Sequence, residues 1–260
     1  MERRKVNQKS LAKKYVKDIK SADVWSVFKI IADFVHGFDE LGNLGPAVTV
    51  FGSARTGPDH PYYTQAVELG DMLGRRGFNV ITGGGPGIME AANKGAFRHP
   101  DVESIGLNVD LPMEQVANQY TTKEQGFDYF FSRKVMLIKY SIAYVIFPGG
   151  FGTLDELFEA LTLTQTRKIA CVRIFLVGKR FYKPLIKFMK IRMVEEGMID
   201  PEDMELITVT DDLGLVVREI EASLPEQIDE LEEEGLESTE YYKNLSEFFD
   251  NREINGGYDS

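Results

Sequence analysis

Cysteine is nearly absent from this 260-residue chain: Cys171 stands alone, inside the apolar run "IACVRIFLVG". A single thiol excludes a disulfide framework, and its apolar neighbours favour a buried small side chain over a nucleophile. Histidine is almost as scarce. His36, His60 and His99 lie far apart without ligand spacing, so no structural metal is expected. Positive charge is short too: 30 Lys and Arg against 41 Asp and Glu leave a net charge of −11. A surface that grips nucleic acid needs clustered cations, which argues against such a partner. Long apolar runs are also missing. "MERRK" could mimic the start of a signal peptide, but Lys13, Lys14, Lys17 and Lys20 break up the adjoining segment, and no run approaches membrane-spanning length. The expectation is a soluble, cytoplasmic protein with no membrane partner.

What is present suits one substantial core, since 43% of the residues are hydrophobic. Three zones differ in character. Residues 1–45 read as an N-terminal helical extension. Val24, Phe28, Ile31, Val35 and Phe38 recur at helical steps, and Trp25, Ile30 and Phe34 widen the stripe. Such a stripe either docks on the core, the favoured reading, or meets another subunit. Residues 46–222 alternate short β-rich runs with helical ones. The predicted strands are "AVTVFGS", "NVITGGG", "ESIGLNV", "DYFFS", "AYVIFPGG", "CVRIFLVG" and "LITVTD". Short apolar strands separated by helices predict an α/β fold with a mostly parallel sheet and helices on both faces. Ligands then sit at the carboxyl ends of the strands, where Gly52-Ser53, Gly83-Gly84-Gly85 and Gly149-Gly150 cluster. Residues 223–260 form an acidic C-terminal tail, expected to be a solvated helix or disordered.

Two glycine clusters carry the chemistry. In "ITGGGPGIMEAANKGA" a dinucleotide fingerprint fails: counted from Gly83 its last glycine would be Ile88, and from Gly85 it would be Glu90. In "VIFPGGFGTLDELFEAL" the residues after Gly152 are Thr153 and Leu154, so the lysine of a triphosphate-binding loop is missing. A short glycine nest backed by a helix N-terminus suits a single phosphate. Glu156 beside that nest has two readings. Thr153-Leu154-Asp155-Glu156 matches a capping box, T-x-x-E, and Glu156 could simply satisfy the helix start. In "FFSRKVMLIKYS", Ser132 as N-cap would place Arg133 and Lys134 in the first helical turn, where the helix dipole disfavours cations unless an anion meets them. A phosphate on the nest, an arginine nearby and a carboxylate at the sugar describe a nucleoside monophosphate. A fixed carboxylate also stabilises the oxocarbenium-like cation formed when a glycosidic bond breaks.

Pro148-Gly149-Gly150-Phe151-Gly152-Thr153-Leu154-Asp155-Glu156 resembles the P-G-G-x-G-T-x-x-E signature of the Lonely Guy family, whose members are often labelled lysine decarboxylases. Arg133-Lys134-Val135-Met136 resembles its R-K-x-x-M element, and Gly83 to Met89 its G-G-x-x-G-x-M element. The likeness covers about residues 46–222, and the N-terminal extension is similar to that of longer members. It implies a Rossmann-like three-layer sandwich and hydrolysis of the N-glycosidic bond of adenine-type (cytokinin) nucleoside 5′-monophosphates to free base and ribose 5-phosphate. It also implies Arg133 and Glu156 as the catalytic pair, phosphate on the Gly150–Thr153 backbone, no metal or organic cofactor, and a homo-oligomer that is at least a dimer. The substrate-binding set is then Gly52, Ser53, Gly84, Gly85, Met89, Lys134, Gly149, Gly150, Gly152, Thr153 and Asp155. The competing expectation is a non-catalytic nucleotide or molybdenum-cofactor carrier. Lysine decarboxylation would need a Schiff-base lysine, and no lysine stands out in the sequence.

Overall fold

A computed structural model describes residues 24–109, 118–169 and 172–254 of the chain. Cys171 and the basic residues before Val24 lie outside the described residues.

Seven parallel strands form one sheet in the order β4-β3-β2-β1-β5-β6-β7. They span β1 Ala47–Phe51, β2 Asn79–Thr82, β3 Ser104–Val109, β4 Lys123–Phe127, β5 Ser141–Ile146, β6 Arg173–Val177 and β7 Ile207–Thr210. Apolar residues fill nearly every position of the central strands, as a sheet buried on both sides requires. Val48 and Val50 of β1 point into one core, with α2 Pro61–Arg75, α3 Ile88–Ala96 and α7 Leu213–Ala222. Ala47 and Phe51 point into the other, with α1 Val24–Leu41, α4 Phe130–Lys139, α5 Phe151–Gln165 and α6 Lys179–Phe188. The expected three-layer α/β sandwich is present.

The chain winds outward from β1 to β4, then returns to lay β5 on the other side of β1. A crevice therefore opens between the carboxyl ends of β1 and β5, the place where such sheets bind ligands. Backbone bonds sew its walls together: Phe147 N–H donates to Phe51 O, Ser53 N–H to Pro148 O, and Ile88 N–H to Ser53 O.

Three local expectations are corrected. "DYFFS" is not a strand. The fourth strand is the polar "KEQGF", which tolerates its polarity because it is the sheet edge. The stripe Val24, Phe28, Ile31, Val35 and Phe38 does not dock on the core. It faces outward, and α1 docks instead through Asp33, Gly37 and Leu41. The acidic segment is helical, one of its two expected states, but it also joins the core. α8 Leu224–Glu233 and α9 Glu240–Ile254 expose their acids but bury Leu224, Leu231 and Leu245 in the first core. Phe248 also packs against Phe78, ring centroids 5.1 Å apart.

Candidate active site

The helix that carries Glu156 begins at Phe151, directly after the glycines, with Gly150 as N-cap. Its first intrahelical bond runs from Leu154 N–H to Gly150 O. Helix geometry thus leaves the N–H groups of Phe151, Gly152 and Thr153 without an intrahelical partner, at the positive end of the dipole. An added Cβ at Gly149 would overlap the Thr153 side chain, so glycine is needed there for the close turn. Gly150 and Gly152 are different. A Cβ on either would meet nothing within 4 Å, and neither has a positive φ. The protein's own packing does not require glycine at these two positions.

Because the N-cap of α5 is Gly150 rather than Thr153, the T-x-x-E pattern is not a capping box. Glu156 instead lies in the second turn of the helix on its buried face, beside Leu157 and Ala160. It is 7% exposed, and its Oε2 has no hydrogen-bond partner. The helix that carries Arg133 begins at Phe130 with Tyr129 as N-cap, so Ser132 is not the cap, and Arg133 and Lys134 fall just beyond the first turn. Arg133 reaches toward Glu156, Nη2 to Oε1 3.7 Å, while its Nε is buried without a partner. Its Cζ lies 5.5 Å from the Phe130 ring centre. A Cβ added at Gly83 would stand 3.3 Å from Arg133 Nη1, so the guanidinium also passes against the first glycine cluster.

Lys134 is held elsewhere. Its ammonium lies 2.8 Å from Asp155 Oδ2 and 3.6 Å from Glu156 Oε2, and it hydrogen-bonds Glu159. Burial pushes the Glu156 carboxyl above the usual range, against the opposing pull of Lys134 and Arg133. Burial likewise lowers Arg133, with Glu156 and Asp155 pulling it back up. For Lys134 burial acts downward, but hydrogen bonds to Asp155 and Glu159 and the charge of Glu156 together raise it. A buried carboxylate and guanidinium that are close yet not hydrogen-bonded to each other are poised to meet something between them.

They line one wall of a cavity of about 710 Å³ at the strand ends, a size usual for small-molecule sites. Gly52, Ser53, Met89, Gly149, Gly150, Gly152, Thr153, Arg133 and Glu156 all border it. Gly84, Gly85, Lys134 and Asp155 do not. Gly84 O and Gly85 O instead accept from Asn118, through its N–H and its Nδ2. Sequence reasoning does not single out Arg55, Val109, Phe130 or Phe151, which also line the cavity. The position of Arg55 just past β1 is the available signal. Phe151, 94% exposed at the first residue of α5, gives none. Among the described residues no group of His, Cys, Asp and Glu is placed to hold a metal ion, and no helix is long and apolar enough to cross a membrane.

The sequence profile of the family described as "Possible lysine decarboxylase" matches residues 89–220. Cytokinin riboside 5′-monophosphate phosphoribohydrolase LOG3 of Arabidopsis thaliana is 27% identical over 186 residues, 68% of this chain and 83% of that protein. The probable cytokinin riboside 5′-monophosphate phosphoribohydrolase LOGL5 of Oryza sativa subsp. japonica is 28% identical over 182 residues, 68% of this chain and 72% of its own. Among solved structures, the molybdenum cofactor binding protein of Rippkaea orientalis covers 68% of this chain and 96% of its own at a TM-score of 0.50 and 18% identity, a likeness of fold.

Proposed function

The chain belongs to the family described as possible lysine decarboxylases, and from that membership and the site's geometry we propose that it is a nucleoside 5′-monophosphate phosphoribohydrolase. The observation that carries this reading is the buried Glu156, whose Oε2 makes no hydrogen bond, at the foot of an N–H nest, with Arg133 3.7 Å away. The substrate phosphate sits on the Phe151–Thr153 N–H groups, helped by the cation of Arg55 at the cavity edge. The ribose then lies over Glu156. The oxygen of a water molecule bonds to the anomeric carbon as the bond from that carbon to the base nitrogen breaks; Glu156 takes the water's proton, which then passes to the departing base nitrogen, giving neutral free base and restoring the carboxylate. Burial makes Glu156 a stronger base than an ordinary carboxylate, and its charge stabilises the oxocarbenium-like transition state. Arg133 faces the negative charge that develops on the departing base. Phe130 and Met89 offer apolar surface to an adenine-type base, cytokinin bases included.

Names of relatives support the reaction class, and the cavity argues against the family's descriptive name. Lysine decarboxylation runs on pyridoxal phosphate held by a lysine. Among the described residues no lysine lines the cavity, and Lys134 is tied to three carboxylates. The residues present do not fit that cofactor. The reaction assigned here calls on no metal or organic cofactor.

We also propose that the protein is a homo-oligomer, at least a dimer. On α1, Val24, Trp25, Val27, Phe28, Ile31, Val35 and Phe38 are all exposed, with Phe131 and Val135 of α4. An apolar surface of that extent marks an association face.

The test is to incubate the protein with AMP and with isopentenyladenosine monophosphate and to look for free base by chromatography. Release of base supports the proposal. Tight binding by calorimetry with no release would point to a carrier instead.

A further inference from the structure

The carboxylate of Asp33 is the most heavily hydrogen-bonded group of the N-terminal helix, and every bond goes to one place. Its oxygens accept from Asp128 N–H at 3.1 and 3.3 Å, from Tyr129 N–H at 3.1 Å and from Ser132 Oγ–H at 2.6 Å. These donors are the N-terminus of α4, the helix that carries Arg133. Tyr129 is its N-cap and supplies no side-chain bond. The cap comes instead from a residue 96 positions earlier. An anion there also offsets two cations near the positive end of a helix with no acid in its first turn.

A second anchor lies one turn further along both helices. Gly37 faces Met136, and a Cβ at Gly37 would come within 2.8 Å of the Met136 sulfur. Met136 is fully buried. The pairs Asp33–Ser132 and Gly37–Met136 are each spaced by four residues on both helices, so α1 fixes both the axial position and the rotation of α4. Arg133 lies between the two anchors. Its distance to Glu156 is set by how α4 is held, because its guanidinium has no hydrogen bond to Glu156 that would hold it there.

We infer that Asp33 is a positioning residue for the reaction: by capping α4 from α1 it holds the Arg133 guanidinium against Glu156, which makes the N-terminal helix part of the active site's framework. This rests on the phosphoribohydrolase reading for its kinetic consequence, though not for its geometric one.

The experiment compares Asp33→Ala, Asp33→Asn and Leu41→Ala, each well below its melting temperature. Leu41 is buried at the far end of α1 and serves as a control for lost stability. Two quantities are read: kcat and KM against pH, and the Glu156 carboxyl titration by infrared difference, with Glu156→Gln as the blank. Glu156 is faced by Arg133 and Lys134 from α4, Asp155 and Glu159 from α5, and Tyr144 from β5. If Arg133 retreats, Glu156 loses a cation that lowers its pKa, and its titration moves to higher pH. The sign is diagnostic, since loss of the Asp33 charge acting through space would move it to lower pH.

The expected result for Asp33→Ala is a kcat lower by roughly 10–100-fold with KM changed less than about threefold, and an acid limb shifted upward. Asp33→Asn, which keeps one acceptor oxygen, recovers part of the rate. Leu41→Ala keeps the rate. Unchanged kcat and titration in Asp33→Ala, or an equal loss in Leu41→Ala, overturns the inference. Should Asp33→Ala not fold, Asp33→Asn is read alone by the same two shifts. If the unsubstituted protein releases no base, the functional reading fails, and the infrared titration still decides the role of Asp33.

Discussion

Glu156 sits on a helix face that otherwise reads Thr153, Leu157, Ala160, Leu161 and Thr164. A carboxylate in that company costs stability, because burial favours its neutral form. The folded state holds the proton to higher pH than the unfolded chain, so stability falls as pH rises from about 4.3 through the raised folded value, and stays lower above it. Glu156→Gln escapes that loss. Thermal melts should show the variant at least as stable as the parent at pH 7, with the gap closing below about pH 4.3, while its turnover falls by roughly 10²–10³. A clear loss of stability at pH 7 would mean that Glu156 is structural after all. The sequence makes Glu156 conspicuous but leaves its task open, since T-x-x-E is also a capping box. The start of the helix at Phe151 removes that alternative. Ser132 is a false cap for a related reason: the N-cap is Tyr129, the Ser132 hydroxyl donates to Asp33, and no local pattern reveals a partner 99 residues away.

At the scale of elements, strand ends are the most legible feature, because glycine clusters mark the points where backbone must turn close to a ligand. Helix starts are less so. The N-caps of both α4 and α5 lie three residues before the polar residue that looks like a cap. The edge strand β4 is invisible because "KEQGF" has neither apolar alternation nor an apolar run. The N-terminus of α5 allows a direct separation of folding from binding. Gly152 is the second residue of the helix, and an added Cβ meets open space. Gly152→Ala should therefore leave the protein as stable, or more stable by about 0.4–1 kcal/mol, in denaturant unfolding. Its methyl group would stand where the phosphate approaches, so kcat/KM should fall roughly tenfold or more. Full activity in Gly152→Ala would show that the phosphate does not sit on this turn.

At the scale of the whole molecule, the sheet order explains why residues as distant as Gly52, Gly83, Arg133 and Glu156 meet: Gly52, Gly83 and Glu156 follow the adjacent strands β1, β2 and β5, and α4, which connects the edge strand β4 to β5, brings in Arg133. The alternation of apolar runs and helices is enough to anticipate that arrangement. It does not show that α8 and α9 belong to the domain, because their few buried residues are spread through a strongly acidic segment. Nor does it show which way α1 faces, since the stripe that looks like a docking face is the exposed one. If that face joins copies of the chain, light scattering will give a mass of at least two chains, and Trp25→Glu with Phe28→Glu will reduce it. A parent protein that is already monomeric contradicts the association. The central claim is tested most directly by chromatography of the products formed from AMP and isopentenyladenosine monophosphate. Equal amounts of free base and ribose 5-phosphate are expected from at least one of them, falling by roughly a hundredfold or more in Glu156→Gln. No base from either substrate, with the protein folded, would contradict it.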